Sequence, residues 1–359
     1  MKPCSARSGL SMLRPFRRAE VGFNFLKEIG AHGKNSKTYL AQDPQLDATI
    51  VIKEIAKAKL DRDRFFGEAQ ALYASTHPNV VQIHYACEDD EAVYVAMPFY
   101  QNGSLKDVLL ERYLTVREIV ALACEVLAGL QHVHSKRLVH FDVKPDNVLL
   151  SDRGEGMISD FGLARPVSSK GAAEQDYLYT KIKPPEAFFG YEFPRTFDIY
   201  QAGLLLYRMC NGEAEFYRQF NSERFFPDRE FDRNAFRVAV VNGQFPDRSI
   251  FPAHIPERLR SVVRKCLQTE PNERFRSALE VANALATIDG PILDWQLTKT
   301  DDCQYWEKNV QGTKYEFEVR SSGATTCYKT KYGGQRRRHG AGCTGRMTDR
   351  QVRTFLGDT

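Results

Sequence analysis

The chain has 359 residues, 42% of them hydrophobic and 27% charged, enough apolar content to bury more than one core and too much for a disordered or low-complexity protein. No apolar run approaches the roughly 20 residues of a membrane span, and the basic stretch Met1 to Glu20 lacks the apolar block of a signal peptide, so it reads as a loose N-terminal arm. The formal charge of +4 sits wholly in the last seventy residues: 1–290 is balanced, while Pro291 to Thr359 carries 12 Lys and Arg against 8 Asp and Glu.

The eight cysteines (Cys4, Cys87, Cys124, Cys210, Cys266, Cys303, Cys327, Cys343) form no CxxC pair and show no zinc-like spacing with histidine. Free thiols in a reducing compartment are expected, which places the chain in the cytoplasm. Cys87, Cys124, Cys210 and Cys266 lie in apolar stretches and read as small core residues.

From Val21 to Ala96 short alternating runs such as Thr49 to Lys53 and Ala92 to Ala96 predict strands, with one helix near Asp63 to Ala74. From Ser104 onward the 3.6-residue period takes over, as in Val116 to Ser135 and Phe197 to Asn211, and predicts a helical half. Between Gly212 and Pro256 the chain is rich in aromatics, among them Phe216, Phe220, Phe225, Phe231 and Phe236; packing against the helical half is the first reading and a docking surface the second. After Ala286 three strands are predicted, Tyr305 to Val310, Lys314 to Arg320 and Thr325 to Tyr332. Tyr315, Phe317 and Val319 alternate with charged residues, so one face of that sheet is buried. A last helix is expected from Thr348 to Leu356, with Thr348 or Asp349 at its N-cap.

The chemistry concentrates in Val139-His-Phe-Asp-Val-Lys-Pro-Asp-Asn-Val-Leu-Leu150, followed by Asp160-Phe-Gly162. Phosphoryl transfer from ATP needs a carboxylate at the incoming hydroxyl and oxygen ligands that hold a divalent cation against the phosphates. Asp142, Asn147 and Asp160 offer those three groups in order.

With these motifs, residues 21 to about 288 resemble a eukaryotic-type serine/threonine protein kinase domain. The resemblance implies an α+β, bilobal fold, with an N-lobe over 21–100 and a C-lobe over 101–288, preceded by the arm 1–20 and followed by a small β-rich accessory domain over 289–359. It implies transfer of the γ-phosphoryl of ATP to protein serine and threonine, autophosphorylation included, with Mg²⁺ or Mn²⁺. Asp142 would orient the acceptor hydroxyl, Lys144 would screen the moving phosphoryl, and Asn147 and Asp160 would hold the metal. Lys53 in Ile50-Val-Ile-Lys53 would pair with the phosphates and with Glu68. Ile29, Gly30, Gly33, Thr38, Val51, Met97, Phe99 and Leu149 would complete the nucleotide site, Met97 as gatekeeper. Lys144 resembles the serine/threonine rather than the tyrosine class. Pro184-Pro-Glu186 and Arg274 would anchor the activation segment through an ion pair, and Asp198 would open the apolar helix that follows.

Three departures from the family pattern stand out. Aligned back from Tyr39, only Gly33 falls on an expected loop glycine; Ala31 and Ser36 occupy the other two positions, and Gly30 comes one place early. Phe141 replaces the arginine that pairs with a phosphorylated activation-segment residue, making this a non-RD sequence, so activity is expected not to require phosphate on Ser168, Ser169, Tyr177, Tyr179 or Thr180. Tyr179 aligns with a threonine that contacts the base and the lysine.

The resemblance does not extend past residue 288. Arg336, Arg337, Arg338, Arg346, Arg350 and Arg353 allow a solvated loop, a regulatory partner surface or a nucleic-acid surface. The leading reading is an active protein kinase acting on protein substrates, without a membrane partner. A pseudokinase scaffold is the main alternative. A small-molecule kinase is disfavoured by Lys144, Pro184-Pro-Glu186 and Arg274.

Overall fold

The computed structural model describes residues 21–29, 36–45, 47–57 and 76–359. The N-terminal arm, Gly30, Gly33, Glu68 and the helix expected near Asp63 to Ala74 lie outside the described residues.

The chain divides into two compact units. The first, holding the described residues up to 57 together with Ile83–Phe99, is an antiparallel sheet of β1 (Asn24–Glu28), β2 (Ser36–Asp43), β3 (Ala48–Ala56), β4 (Tyr85–Glu88) and β5 (Ala92–Pro98), in the order β1-β2-β3-β5-β4. The runs from Thr49 and Ala92 thus form strands as read. Period-2 alternation separates the two faces. Ala41, Ile50, Ile52 and Ala96 are buried on one face, with Phe23, Tyr85 and Tyr94 packed against them.

The second unit, 76–82 with Tyr100–Thr359, is helical in its first part. Its helices are α1 (Leu105–Glu111), α2 (Val116–Ser135), α3 (Thr196–Phe220), α4 (Arg233–Val241), α5 (Glu257–Cys266) and α6 (Ala278–Ala286). Between α2 and α3 lie the short strands β6 (Leu138–Val139), β7 (Val148–Leu150), β8 (Gly156–Ile158), β9 (Arg165–Pro166), β10 (Ala173–Glu174) and β11 (Glu192–Phe193), which pair as β6-β9, β7-β8 and β10-β11. Capping boxes start α1 and α2: Ser104 and Asp107, then Thr115 and Glu118, exchange side-chain to backbone bonds, each satisfying backbone N–H groups that have no partner in the helix.

α3 is buried nearly all round as far as Gly212. Gly203 lets it lie tightly on α5: an added Cβ would fall 2.6 Å from Cys266 Cβ. At Gly212, with φ of 78° and ψ of 162°, the helix breaks and restarts in a new direction, a backbone state that glycine adopts at little cost. The restarted part carries Phe216 and Phe220 into a cluster with Phe225, Phe236 and Phe245, whose ring centroids lie 5.0–6.2 Å apart. The aromatics between Gly212 and Pro256 therefore build the lobe interior, as the first reading had it. Cys210 and Cys266 are buried as expected, whereas Cys87 and Cys124 are only half-buried, Cys87 because β4 is an edge strand.

The last seventy residues form an antiparallel sheet of β12 (Gln296–Lys299), β13 (Cys303–Val310), β14 (Thr313–Arg320), β15 (Ala324–Lys331) and β16 (Arg337–Arg338), with β17 (Gly345–Arg346) also on β15, covered by α7 (Asp349–Asp358). Thr348 caps α7 in a box with Gln351. Leu297, Trp306, Phe317 and Cys327 stand opposite one another on four successive strands, and Val352, Phe355 and Leu356 of α7 close over this row. Tyr315 and Val319 are partly buried beside Phe317.

That core does not stop at the module. Tyr113 and Ala253 of the helical part pack into it, Trp306 Nε1 donates to His254 Nδ1 at 3.2 Å, and Gln296 Nε2 donates to the Tyr113 carbonyl at 2.7 Å. Arg117 meets Asp294 through two bonds of 2.6 and 3.0 Å. His254 is fully buried, and burial pushes its pKa from 6.5 down to about 4.

Candidate active site

The loop from Val139 to Asn147 is fixed from below by α3. Asp198, wholly buried near the start of that helix, accepts from the backbone N–H groups of His140 and Phe141 at 2.8 and 2.9 Å and from His134 Nε2 at 2.8 Å. Gln201, one turn further, accepts from Val143 N at 3.0 Å and donates to the Phe141 carbonyl at 2.9 Å. Asp142 is thus gripped by its neighbours on both sides. The grip also holds Phe141 at φ of 65°, a left-handed conformation that a bulky residue does not adopt unaided.

His140 forms the floor beneath Asp142. Its Nδ1 accepts from Asp142 N at 3.2 Å and its Nε2 donates to the Ser159 carbonyl at 3.2 Å. One nitrogen accepts and one donates, so the ring is neutral, in line with a pKa lowered by complete burial.

Asp142 is 2% exposed. Its Oδ2 accepts from Lys144 Nζ at 2.9 Å and from Asn147 Nδ2 at 2.7 Å, while its Oδ1 is buried and has no hydrogen-bond partner among the described residues. Burial raises the carboxyl pKa, and Lys144 partly offsets that rise. Asn147 also donates to the Asp142 carbonyl at 2.9 Å; with its amide nitrogen committed to Asp142, its Oδ1 is left as an acceptor. The Asn147 carbonyl receives both the N–H (2.9 Å) and the hydroxyl (3.0 Å) of Ser159, which fixes the residue before Asp160 onto the same loop. Asp160 is exposed, at φ of 59°.

Two features of the following segment bear on this loop. Tyr179 places its ring face 3.9 Å from Lys144 Nζ. Phe141 is fully buried with Val139, Ala173, Phe193 and Phe197, and Leu163, Val167, Leu178 and Ala187 pack around them. At the end of the segment Arg274 donates to both oxygens of Glu186 at 2.7 Å and to the carbonyls of Thr196, Gln268 and Thr269. The expected ion pair is present, with a buried guanidinium and a half-buried carboxylate.

In the first unit, cross-strand register gathers the expected nucleotide-site residues onto one face. Thr38 stands opposite Lys53, Val51 opposite Met97, and Ile29 N donates to the Thr38 carbonyl at 2.8 Å. Residues directly opposite share a face, as do Val51 and Lys53 two apart. Phe99 follows β5 and is 37% exposed. Leu149 lies on β7 of the second unit, opposite Met157. Gly30, Gly33 and Glu68 are outside the described residues.

Sequence reasoning had not singled out Gln201 or His134; it had marked Tyr179 by its alignment with a threonine that contacts the base and the lysine, though not the ring-face contact. Gln201 stands three residues after Asp198 and so on the same helix face, a spacing that could have marked it. Nothing local marks His134.

The protein kinase domain family matches residues 23–285. The serine/threonine-protein kinase PknJ of Mycobacterium tuberculosis is 29% identical over 281 residues, which cover 74% of this chain and 45% of that protein. PknD of Chlamydia trachomatis is 27% identical over 319 residues, covering 77% and 32%, and PrkC of Bacillus subtilis is 24% identical over 340 residues, covering 90% and 50%. The chain spans half or less of the length of these relatives.

Proposed function

The chain belongs to the protein kinase domain family, and from that premise we propose that it transfers the γ-phosphoryl group of ATP to serine and threonine hydroxyls of protein substrates, itself included. The family implies ATP and a divalent cation. The donor set fits a hard cation: the Asn147 oxygen and the Asp160 carboxylate are oxygen ligands, and among the described residues no group of three or more His, Cys, Asp or Glu is placed to hold a metal alone. Magnesium characteristically takes one or two carboxylates and completes its shell from substrate phosphates and water, so we assign Mg²⁺ to Asn147 and Asp160, with Mn²⁺ as the substitute. When bound, the ion neutralises charge on the phosphate oxygens.

The observation that carries the reading is the state of Asp142. Its Oδ2 is held by Lys144 and Asn147, which leaves the buried Oδ1 to accept a hydrogen bond. There it orients the acceptor hydroxyl and takes its proton as the hydroxyl oxygen bonds to the γ-phosphorus and the bridging P–O bond breaks to release ADP. The raised pKa of Asp142 makes it a better proton acceptor than an exposed aspartate. Lys144, fixed on Asp142, screens the charge that develops on the phosphoryl oxygens. In the first unit, Lys53 is assigned to the phosphates, and Ile29, Thr38, Val51, Met97 and Phe99 to the adenine; the common face of Thr38, Val51, Lys53 and Met97 on the sheet supports this.

Incubation with labelled ATP and magnesium tests the proposal. Wild type transfers label to protein, and Asp142→Ala does not while remaining folded. Binding of Mg-ATP without transfer under any condition identifies a scaffold instead.

No helix among the described residues is long and apolar enough to cross a membrane. The free thiols support a cytoplasmic location. For the exposed Arg336, Arg337 and Arg338 of the accessory module (289–359) a solvated loop is the first reading, with a regulatory protein or nucleic acid as the alternatives. Arg336 is already held by Glu316 at 2.8 Å and by the Tyr328 ring at 3.8 Å. Affinity for nucleic acid that falls steeply with salt would separate the two partners.

A further inference from the structure

The geometry points to Tyr179 as the positioning residue for Lys144, holding the ammonium group against Asp142 by the face of its ring. This rests on the reading that Asp142 and Lys144 carry the transfer.

Lysine has a long stem whose rotamer freedom must be lost before its charge can act at one point. In this site Lys144 Nζ has two partners. It donates to Asp142 Oδ2 at 2.9 Å, and it lies 3.9 Å from the centroid of the Tyr179 ring, well inside the range of a cation–π attraction. The ring attracts the charge without directing any particular N–H. The ammonium group keeps two of its three donors for phosphoryl oxygens, where a second carboxylate would leave it one.

The ring is itself held in place. The Tyr177 ring meets it edge-on at 5.6 Å and 78°, and the Tyr179 carbonyl accepts from Ile182 N at 3.2 Å, opening the turn Thr180–Ile182. Ile182 is buried in the lobe core. Its carbonyl accepts from Gln201 Nε2 at 3.5 Å, the same amide that holds the Phe141 carbonyl beside Asp142. One side chain of α3 therefore ties the base and the turn bearing the ring to a common frame.

The Tyr179 hydroxyl makes no hydrogen bond among the described residues, so the ring face is the part that acts. Burial, with Asp142 nearby, pushes the phenol up to about 12; the ring stays neutral at working pH.

The test measures kcat and KM for ATP in the full chain for wild type, for Tyr179→Phe, Tyr179→Leu and Lys144→Ala, and for the double variant that combines Tyr179→Leu with Lys144→Ala. Thermal unfolding is the fold control. Removing a cation–π contact of this kind should lower kcat about 3- to 30-fold with KM for ATP little changed. Tyr179→Phe should restore wild-type kcat, and Tyr179→Leu should cost nothing further once Lys144 is gone. Tyr179→Gln gives the same reading if the leucine variant does not fold. Unchanged kcat in a folded Tyr179→Leu, equal loss in Tyr179→Phe and Tyr179→Leu, or an undiminished loss in the Lys144→Ala background overturns the inference alone. Absence of transfer by wild type overturns the reading beneath it as well.

Discussion

Phe141 occupies a backbone conformation that costs of order 1 kcal/mol or more for a bulky residue. The structure sustains it because Asp198 and Gln201 hold the peptide groups around it and because the ring is completely buried against Phe193 and Phe197, at 6.0 and 4.8 Å. An arginine in its place would present a charge to a phosphorylated segment. The phenylalanine instead holds the segment by burial, with Ala173 and Leu178 of the segment in its cluster. Hydrophobic attachment of this kind needs no modification to form. Replacing Ser168 and Ser169 by alanine, Tyr177 by phenylalanine and Thr180 by valine should leave the phosphoryl-transfer rate at the wild-type level, with Tyr179 kept over Lys144. A collapse of the rate in a protein that still folds would show that control runs through segment phosphorylation.

Among the elements, α3 has the widest reach. Its first turns fix the base loop through Asp198 and Gln201, its middle packs on α5 at Gly203, and after Gly212 its continuation builds the aromatic cluster. Arg274 ties the end of the activation segment to the Thr196 carbonyl at the head of the same helix. Because its guanidinium is buried with all these partners, Arg274→Ala removes charge-assisted bonds and leaves Glu186 half-buried without its counterion. Loss of such a partner costs on the order of 3–5 kcal/mol when fully buried and less here, where the carboxylate is partly exposed. Denaturant unfolding should show that loss, with any residual activity falling through stability. The motif residues were legible because the catalytic groups lie on one short stretch whose spacing is set by chemistry. The strands from Tyr305, Lys314 and Thr325 were legible through their alternation. β12 was not, because Gln296–Lys299 offers one buried apolar residue, Leu297, and no period. The contact between His134 and Asp198 joins residues 64 positions apart in sequence, and the Phe141 cluster gathers residues from as far apart as Val139 and Phe197; such pairings are set by packing that no local pattern records.

For the whole molecule, the junction of the accessory sheet with the helical lobe includes a buried polar pair, Trp306 and His254. His254 is neutral in the folded state because burial takes its pKa from 6.5 to about 4, while the unfolded chain binds a proton at the ordinary value. Between those values the unfolded state holds more protons, so stability is full above about pH 6.5 and falls as pH drops toward 4. The slope from this group is about 1.4 kcal/mol per pH unit at most. His254→Gln keeps an acceptor near Trp306 without titrating. Unfolding free energies measured at pH 7, 6 and 5 should therefore fall more steeply for wild type than for the variant; parallel curves would show that His254 is not the group responsible.

The mutual insertion of lobe and module also sets an order in time. Chains emerge from the ribosome N-terminus first, so Tyr113, Ala253 and His254 are complete long before Trp306 and Leu356 exist to cover them. Trp295 Nε1 donates to the Leu356 carbonyl at 2.9 Å, so the covering layer itself closes only when that late residue arrives. The lobe's side of this junction, Tyr113 and Ala253 included, is therefore made before the strands and helix that cover it.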